Sequence, residues 1–406
     1  MKKIYSSPKG QWDHLFDVTH AHGIRSNDII HVGSQVALSK NGCVLHPKKI
    51  FKQTQEIFKN IINVLADLDS SLCDLVRLRC FYVMSDVYSE DEFLNVIAAI
   101  LPRDSRPSIT AIPVPYLSLE DLVVEIEAIA MSRPYGDKLK RSHVVSTGSS
   151  PLPEPFVQGI QCGNMIYISG QSPRNSEGIV LKKGDIVAQT KIIMEQHKRI
   201  LEKLGANFND VVKINRWYGG EGGIKDFEPA ALACASYFSE PGPAATGIPI
   251  PSHSWDGMFI KIELVAMLGE DGSPLEKEYA WPKDHWDWHV HLPYNHGIKC
   301  KNMIFLGGQV SIDQHGITIE PNNLSAQTRA SMENIRRVLN VFNANFSDVV
   351  KVLTLYHGKC GLQPLRENFP IRSSYFSEAW PPSTGVPLPE LAYSGMMIEI
   401  DVDAII

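Results

Sequence analysis

The sequence lacks the features that mark membrane, secreted and nucleic-acid-binding proteins. No apolar run approaches the ~20 residues of a membrane span. The lysines near its start are followed by no apolar stretch of the kind that a secretion signal contains. The net charge of −6 argues against a nucleic-acid partner, because such proteins usually present a basic surface. We therefore expect a cytoplasmic protein that engages neither membranes nor nucleic acids.

The sequence also has few metal-binding or cofactor-binding signals. Its seven cysteines are scattered, odd in number and include no Cys-x-x-Cys pair, which is typical of reduced cytoplasmic thiols. His289 and His291 would share one face of an extended segment, but the spacing fixes no third ligand. The stretch "GGEGG" (219–223) lacks the Gly-Lys-Ser/Thr ending of a phosphate-binding loop. We predict no metal site and no cofactor.

What the sequence does contain is a ten-residue motif, called the phrase below, that occurs three times. It reads "RPSITAIPVP" at 106–115, "GPAATGIPIP" at 242–251 and "WPPSTGVPLP" at 380–389. Its threonines are 136 and then 138 residues apart. A fixed period of this kind indicates tandem copies of one structural unit.

Three further landmarks keep this register across the 406 residues. One is a segment that begins "QTQEIFKN", "QTKIIMEQ" or "QTRASMEN". Another is "DLVRL", "DVVKI" or "DVVKV", and upstream stands "HVGSQ", "YISGQ" or "FLGGQ". Four landmarks in common register establish three copies of one unit.

Each copy has the periodicities of an α+β fold. In the first copy Ile57, Ile61, Val64, Leu65 and Leu68 recur at helical spacing, which predicts an amphipathic helix packed on a sheet. The copies end in "LVVEIEAIAM", "MFIKIELVAM" and "MMIEIDVDAI", whose alternation predicts a strand. One unit is therefore strand, strand, helix, strand, helix, strand, with its helices on one face of the sheet.

Polar segments separate the copies and set the predicted boundaries. Residues 132–153 are rich in Ser, Pro and Gly, and residues 269–291 are polar and then dense in Trp and His. We predict units at 1–131, 154–268 and 285–406.

The repeated phrase predicts a cleft wall. Its alternating prolines remove backbone donors, so it does not suit a central strand. A rigid extended segment remains, and the hydroxyls of Thr110, Thr246 and Thr384 are candidates for binding a ligand.

At these landmarks the sequence resembles the RidA/YjgF family of imine-handling proteins. The likeness rests on "PFVQGIQCGNMIYISGQSP", the "QT" helix opening, the "DVVK" strand and the closing strand. It implies a trimer-like assembly with a central β-barrel, outer helices and a ligand cleft at each interface. Three fused units of this chorismate-mutase-like fold would form an intramolecular pseudo-trimer, as a monomer or a homodimer of it.

The resemblance implies a reaction, and one expected residue is missing. Many family members hydrolyse enamines or imines derived from amino acids to keto acids and ammonium. Their arginine, which binds the substrate carboxylate, would stand directly before the threonine of the phrase. This sequence has Ile109, Ala245 and Ser383 there. Ser383 remains a candidate for substrate binding.

The closing strand holds the candidate catalytic groups. Glu125 and Glu399 match the family's glutamate and are candidate general acids or bases, the alternative being a solvated or salt-bridged face. Lys261 replaces this glutamate in the second copy. A desolvated lysine can act as a nucleophile, although lysine is also common on the solvent face of a strand.

Other candidates surround the expected clefts. His20, Phe156 and Tyr294 match the aromatic residue near the family's cleft entrance, and His22 and His296 precede a shared glycine. The serine of the "SGQ" turn is retained as Ser169, with glycine in the other two copies. Histidines at these places are candidate proton carriers, or packed side chains.

Three hypotheses about function follow. The first is a hydrolase, deaminase or lyase that acts on a small polar metabolite in clefts between units, in a specialised biosynthetic pathway. The second is a chorismate-hydrolysing enzyme, since such enzymes resemble this fold and contain fused units. The third is a non-catalytic scaffold that binds metabolites, which the missing arginine favours.

Overall fold

The computed structural model describes residues 3–12, 20–133, 138–146, 148–377 and 380–406. Within them the chain forms three units, each with a six-stranded sheet and two α-helices. The α+β prediction is confirmed.

The three units repeat one order of elements. The first contains β1 (Lys3–Ser6), β2 (Gly23–Ser26), β3 (Ile29–Gln35), α1 (Ile50–Asp67), β4 (Leu75–Val83), α2 (Glu90–Ile100), β5 (Ser108–Val114) and β6 (Val124–Met131). The second contains β7 (Arg141–Val144), β8 (Gly159–Cys162), β9 (Met165–Gln171), α3 (Ile186–Lys203), β10 (Val211–Gly219), α4 (Ile224–Ala235), β11 (Ala244–Ile250) and β12 (Ile260–Met267). The third contains β13 (Lys277–Ala280), β14 (Gly297–Cys300), β15 (Met303–Leu306), α5 (Leu324–Val341), β16 (Val349–His357), α6 (Gln363–Ser373), β17 (Ser383–Leu388) and β18 (Ile398–Ile405).

All three sheets have the same strand order, which in the first unit is β1-β2-β3-β6-β4-β5. The strands pair antiparallel except at one edge, where β4 and β5 run parallel and are joined through α2. The repeated phrase forms this edge strand, where its missing donors cost no ladder hydrogen bond. Strands β7 and β13 lie inside the segments predicted as linkers and extend the sheets of the second and third units.

The predicted helix face is confirmed. Ile57, Ile61, Val64, Leu65 and Leu68 are all buried, and they pack in one cluster with strand residues of the first unit. An amphipathic helix on one face of a sheet explains both the helical spacing and the burial.

The glutamine near the start of the first long helix recurs in all three units, and its hydrogen bonds give a local reason. The Gln53 amide donates to the carbonyls of Leu45 and Asp121 and accepts from the Val123 backbone N–H. Gln189 and Gln327 make the equivalent bonds in their own units. The side chain fixes the loop before the closing strand, and thereby positions the strand that holds the candidate catalytic groups.

The units contact one another in a cyclic order. Edge strand β5 of the first unit lies against β9 of the second, β11 lies against β15, and β17 of the third lies against β3 of the first. An apolar cluster shared by all three units fills the space between them. Strand pairing nevertheless gives three separate sheets in the described chain, and no closed barrel.

Buried charges join the three units at their inner faces. The threonine of each phrase donates to an acid of the next unit: Thr110 to Glu263 (2.6 Å), Thr246 to Asp401 (2.8 Å) and Thr384 to Glu127 (2.7 Å). Ion pairs reinforce these bonds: Arg77–Glu263 (2.8 Å), Arg79–Glu127 (2.9 Å), Lys213–Asp401 (2.5 Å), Lys213–Asp403 (2.7 Å) and Lys351–Glu127 (3.4 Å). We call these four cations and four carboxylates the central charge network. Its formal charges balance, as burial requires.

The central charge network makes the free energy of unfolding depend on pH in the acid range. Burial alone would raise the pKa of Glu127, but Lys351 and Arg79 lower it to about 2, below its ordinary 4.5. This depressed pKa adds stability that is complete above about pH 4.5 and is lost as the pH falls towards 2. We expect Glu127→Gln to reduce the fall in the free energy of unfolding over this range by on the order of 3 kcal/mol. Urea unfolding between pH 5 and 2 tests this. Equal slopes for variant and parent would contradict it.

Candidate functional site

The three seams between units carry different charges at one repeated position. Glu125, Lys261 and Glu399 occupy the same place in the closing strands β6, β12 and β18, and all three are buried. We name the seams by the units that form them. Cleft 3/1 contains Glu125, cavity 2/3 contains Glu399, and seam 1/2 contains Lys261.

Cleft 3/1, which contains Glu125, is roomier than cavity 2/3, which contains Glu399. Its volume is about 100 Å³, against about 20 Å³ for cavity 2/3. A water molecule needs roughly 10–15 Å³, so cavity 2/3 accommodates about one water, whereas cleft 3/1 can take up part of an organic ligand.

Glu125 is held in cleft 3/1 by donors from both units. The hydroxyl of Ser34, on β3, donates to its carboxylate, and so does the backbone N–H of Gly385 on β17. Burial raises the pKa of Glu125 to about 7, although both hydrogen bonds act in the opposite direction. A carboxyl with this pKa exchanges protons readily near neutral pH, as a general acid or base must.

A cation lines the same cleft. Arg372 lies on α6 of the third unit and is 3% exposed. Its Nε donates to Asn368 Oδ1 at 2.8 Å, and its guanidinium lies over the ring of Phe369 at 5.0 Å. Burial lowers the pKa of Arg372 to about 10, so it stays charged at neutral pH.

Cavity 2/3 repeats this arrangement in a closed form. Burial raises the pKa of Glu399 to about 8, while nearby Arg216 acts to lower it. Trp286 and Trp288 also line the cavity. Gly308 stands where cleft 3/1 has a serine, so no side-chain hydroxyl meets the glutamate from this position. The charged groups resemble those of cleft 3/1, but there is little room for a ligand.

Seam 1/2 is filled by an ion pair. The Lys261 ammonium lies 2.7 Å from the carboxylate of Glu90, on α2, and donates to the Ala111 carbonyl at 2.6 Å. Tyr82 and Ser254 donate to the same carboxylate. The amine nitrogen is therefore already engaged by two acceptors, a carboxylate and a carbonyl. The geometry therefore favours a structural role for Lys261 over the predicted nucleophile.

The threonines and Ser169 also take structural positions. Thr110, Thr246 and Thr384 donate to the central charge network, so their hydroxyls are not directed at a cleft. Ser169 accepts from the Ile109 N–H at 2.9 Å and donates to the Val157 carbonyl. These contacts favour structural roles for the four hydroxyls over the predicted binding of a ligand.

The glycine that replaces this serine in the third unit allows close backbone approach. A Cβ on Gly307 would lie 2.5 Å from the Ala245 carbonyl oxygen of the second unit. The absence of a serine there therefore reflects how tightly the two strands meet.

The aromatic candidates divide between the seams. His20 bonds to the Pro381 carbonyl at 3.1 Å and contacts the ring of Phe369, so it joins the first and third units near cleft 3/1. His22 contacts Trp12, another residue of this cleft. Ser383 lines the cleft directly.

The other aromatic candidates are packed away from cleft 3/1. His296 stacks on Trp288, and burial lowers its pKa well below the ordinary value, so it remains neutral. Tyr294 is buried, with the guanidinium of Arg216 5.3 Å from its ring centre. Phe156 packs into the hydrophobic cluster of the first unit. These positions favour packing roles over a proton carrier or a cleft entrance.

Four polar residues of the seams were missed from the sequence: Ser34, Glu90, Arg216 and Arg372. A signal existed for the last two, because each is an arginine where the aligned copies have no cation. Arg372 aligns with Cys234 and Ala98, and Arg216 aligns with Cys80 and Thr354. Charges that appear in one copy only, at positions buried in the others, mark where the seams diverged.

The fold and its seams define a chain of three tandem α+β units with ionisable groups between units. The family model described as Endoribonuclease L-PSP matches the chain three times, at residues 17–132, 148–268 and 288–406. The chain therefore belongs to this family, the RidA/YjgF family, as a fusion of three units.

Individual relatives each span about one unit. A RutC family protein of Pyrococcus abyssi is 36% identical over 124 residues, which cover 30% of this chain and 94% of the relative. The 2-iminobutanoate/2-iminopropanoate deaminase of Escherichia coli K12 is 34% identical over 98 residues, covering 24% of this chain and 70% of the relative. The crystal structure of RidA from Psychrobacter sp. PAMC 21119 covers 31% of this chain and all of its own, with 27% identity and a TM-score of 0.28.

None of the helices in the described part of the chain combines the length and apolar character needed to cross a membrane.

Proposed function

We propose that the protein hydrolyses an imine or enamine to a carbonyl compound and ammonium in cleft 3/1, with Glu125 as the general base. The observation that carries this proposal is the buried Glu125 carboxyl, held by donors from two units beside a cleft of about 100 Å³. The Escherichia coli and Acinetobacter baylyi relatives, named as 2-iminobutanoate/2-iminopropanoate deaminase and 3-aminoacrylate deaminase, support the reaction class.

The chemistry needs one group that accepts and returns protons, and one water molecule. The Glu125 carboxylate takes a proton from water as the water oxygen bonds to the iminium carbon, and the C=N electron pair moves to nitrogen. In the second step the protonated carboxyl returns this proton to the amine nitrogen, and the carboxylate then takes the proton of the new hydroxyl group as the carbonyl forms and the C–N bond breaks. The ammonia released accepts that proton and departs as ammonium. An enamine enters the same route once protonation at carbon has made it an iminium. Ser34 and the Gly385 N–H hold the carboxylate through both steps.

We also propose that the three units form an intramolecular equivalent of a trimer, as a monomeric assembly. The cyclic contacts between edge strands and the central charge network support this arrangement. Each seam would then correspond to one subunit interface, and the three seams have diverged in charge. The arrangement explains why a cleft is formed by the third and first units, which are farthest apart in the sequence.

The pH dependence of turnover tests the reaction. Because the pKa of Glu125 is raised to about 7, the carboxylate is available above this pH and is lost below it. We expect kcat/KM for an imine or enamine to fall about tenfold per pH unit below pH 7 and to level off above it. Ammonium release from a panel of imines, enamines and small cyclic amides, corrected for the spontaneous rate, measures this. No turnover of any compound, or a rate that does not change between pH 5.5 and 8, would overturn the proposal. Binding without turnover would favour the scaffold hypothesis.

A further inference from the structure

We propose that Arg372 is the anion-binding residue of cleft 3/1, and that the cleft selects a monoanionic ligand with an apolar body. This proposal rests on the proposed function only in taking that ligand to be the substrate. The arginine reaches the cleft from helix α6, whereas the family's arginine would precede Thr384 on an edge strand. The anionic end of the ligand would therefore lie against the helix side of the cleft.

The first argument concerns the hydrogen-bond and ion-pair partners of the Arg372 guanidinium. Arg372 is 3% exposed, and its Nε is bonded to the neutral side chain of Asn368. No carboxylate among the described residues forms an ion pair with it, in contrast to the arginines of the central charge network. A buried charge is costly unless it is paired. A bound carboxylate in the adjoining cleft would supply the missing charge and accept two parallel hydrogen bonds from the planar guanidinium.

The second argument is the position of the arginine relative to the catalytic candidate. Arg372 and Glu125 line one cleft from different units, and Ser383 and Gly385 lie in its wall. No ion pair joins Arg372 to Glu125 among the described residues, so the guanidinium is not consumed in pairing with the general base. Arg372 can hold the anionic end of a ligand while Glu125 activates the water that attacks the reacting carbon.

The third argument is the rest of the wall, which is mostly apolar. Leu38, Leu119, Leu122, Leu365 and Phe369 line the cleft around the two charged groups. Apolar cavities of ~150 Å³ take up benzene, so a cleft of about 100 Å³ suits a branched aliphatic group. The chemical class is therefore a small carboxylate with a branched aliphatic body, and a second anionic group would find no cation to pair with among the lining residues.

Equilibrium binding tests the proposal without requiring turnover. Isothermal titration of the full-length protein with 4-methyl-2-oxopentanoate, a stable carbonyl analogue of such a substrate, is expected to show saturable binding. The uncharged ketone 4-methylpentan-2-one should bind at least tenfold more weakly, and 2-oxopropanoate, which lacks the branched group, should also bind more weakly. Failure of the wild-type protein to distinguish the anion from the ketone would overturn the proposal, whichever variants fold.

Variants of Arg372 test whether this residue causes the preference for the anion over the ketone. Arg372→Met should weaken binding of the anion at least tenfold and leave the ketone unchanged. Arg372→Lys should lie between, because an ammonium keeps the charge but lacks the planar fork. Arg216→Met, at the buried arginine of cavity 2/3, should change anion binding less than twofold. Unchanged binding by folded Arg372→Met or Arg372→Lys would overturn the proposal. Binding that depends on Arg372 in a protein without hydrolytic activity would refute the proposed function and leave this inference intact.

Discussion

Replacing Lys213 by methionine is expected to lower the free energy of unfolding by about 3–5 kcal/mol. Its ammonium is the nearest cation to both Asp401 (2.5 Å) and Asp403 (2.7 Å), and all three groups are buried where the second unit meets the third. Removing the cation leaves two carboxylates in a medium of low polarity, and the protein must then bind protons or open the seam. Methionine keeps most of the side-chain volume, so the loss reports charge and not a cavity. Chemical denaturation followed by circular dichroism measures the change.

The control is a lysine in an exposed ion pair. Lys183 lies 3.0 Å from Asp256, and both side chains are mostly exposed, so Lys183→Met should change stability by less than about 0.5 kcal/mol. A variant that combines Lys213→Met with Asp401→Asn and Asp403→Asn should recover part of the stability, because no unpaired charge remains. Equal losses for Lys213→Met and Lys183→Met would show that the central charge network does not hold the units together.

The repeat and the local structure were predictable because they depend on short-range patterns. The spacing of Ile57, Ile61 and Val64 determines which face of α1 is buried. The alternating prolines exclude the phrase from a central strand, and in the structure it forms an edge strand. Because each pattern appears in all three copies, a chance match in one copy does not decide the prediction. The strand at the start of each sheet was missed because β7 and β13 are four residues long and lie in polar sequence.

The chemistry of the seams was not predictable from one repeat, because each seam is built from two. Glu125 was identified from its own strand, but its surroundings depend on Arg372, which is 247 positions away in the chain. Lys261 by itself is a candidate nucleophile, but its ion-pair partner Glu90 lies on another unit, 171 positions away in the chain. The threonines were assigned to a ligand because their acid partners belong to the following unit. Pairings between units depend on the closure of the assembly, which no local pattern encodes.

Glu125→Gln is expected to lower kcat/KM for imine hydrolysis by about 10²–10⁴-fold, the usual contribution of a general base. The amide has the shape of the carboxyl but cannot accept a proton from water. Stability should not fall: burial raises the pKa of Glu125 to about 7, so a neutral group is already favoured at this position below that pH. Above pH 7 the variant should be as stable as its parent or more stable, because the cost of a buried charge is removed. Steady-state kinetics at pH 8, together with thermal unfolding, separate the two effects.

The matched comparison is Glu399→Gln, which makes the same chemical change at the equivalent position of the next closing strand. Burial also raises the pKa of Glu399, to about 8, so its stability should respond in the same direction. Its cavity of about 20 Å³ holds roughly one water and no substrate, so activity should change less than threefold. A large loss from Glu399→Gln with none from Glu125→Gln would move the reaction to cavity 2/3 and require Trp286 and Trp288 to open. Equal large losses would mean that both seams turn over substrate, and that their difference in volume does not decide which one is active.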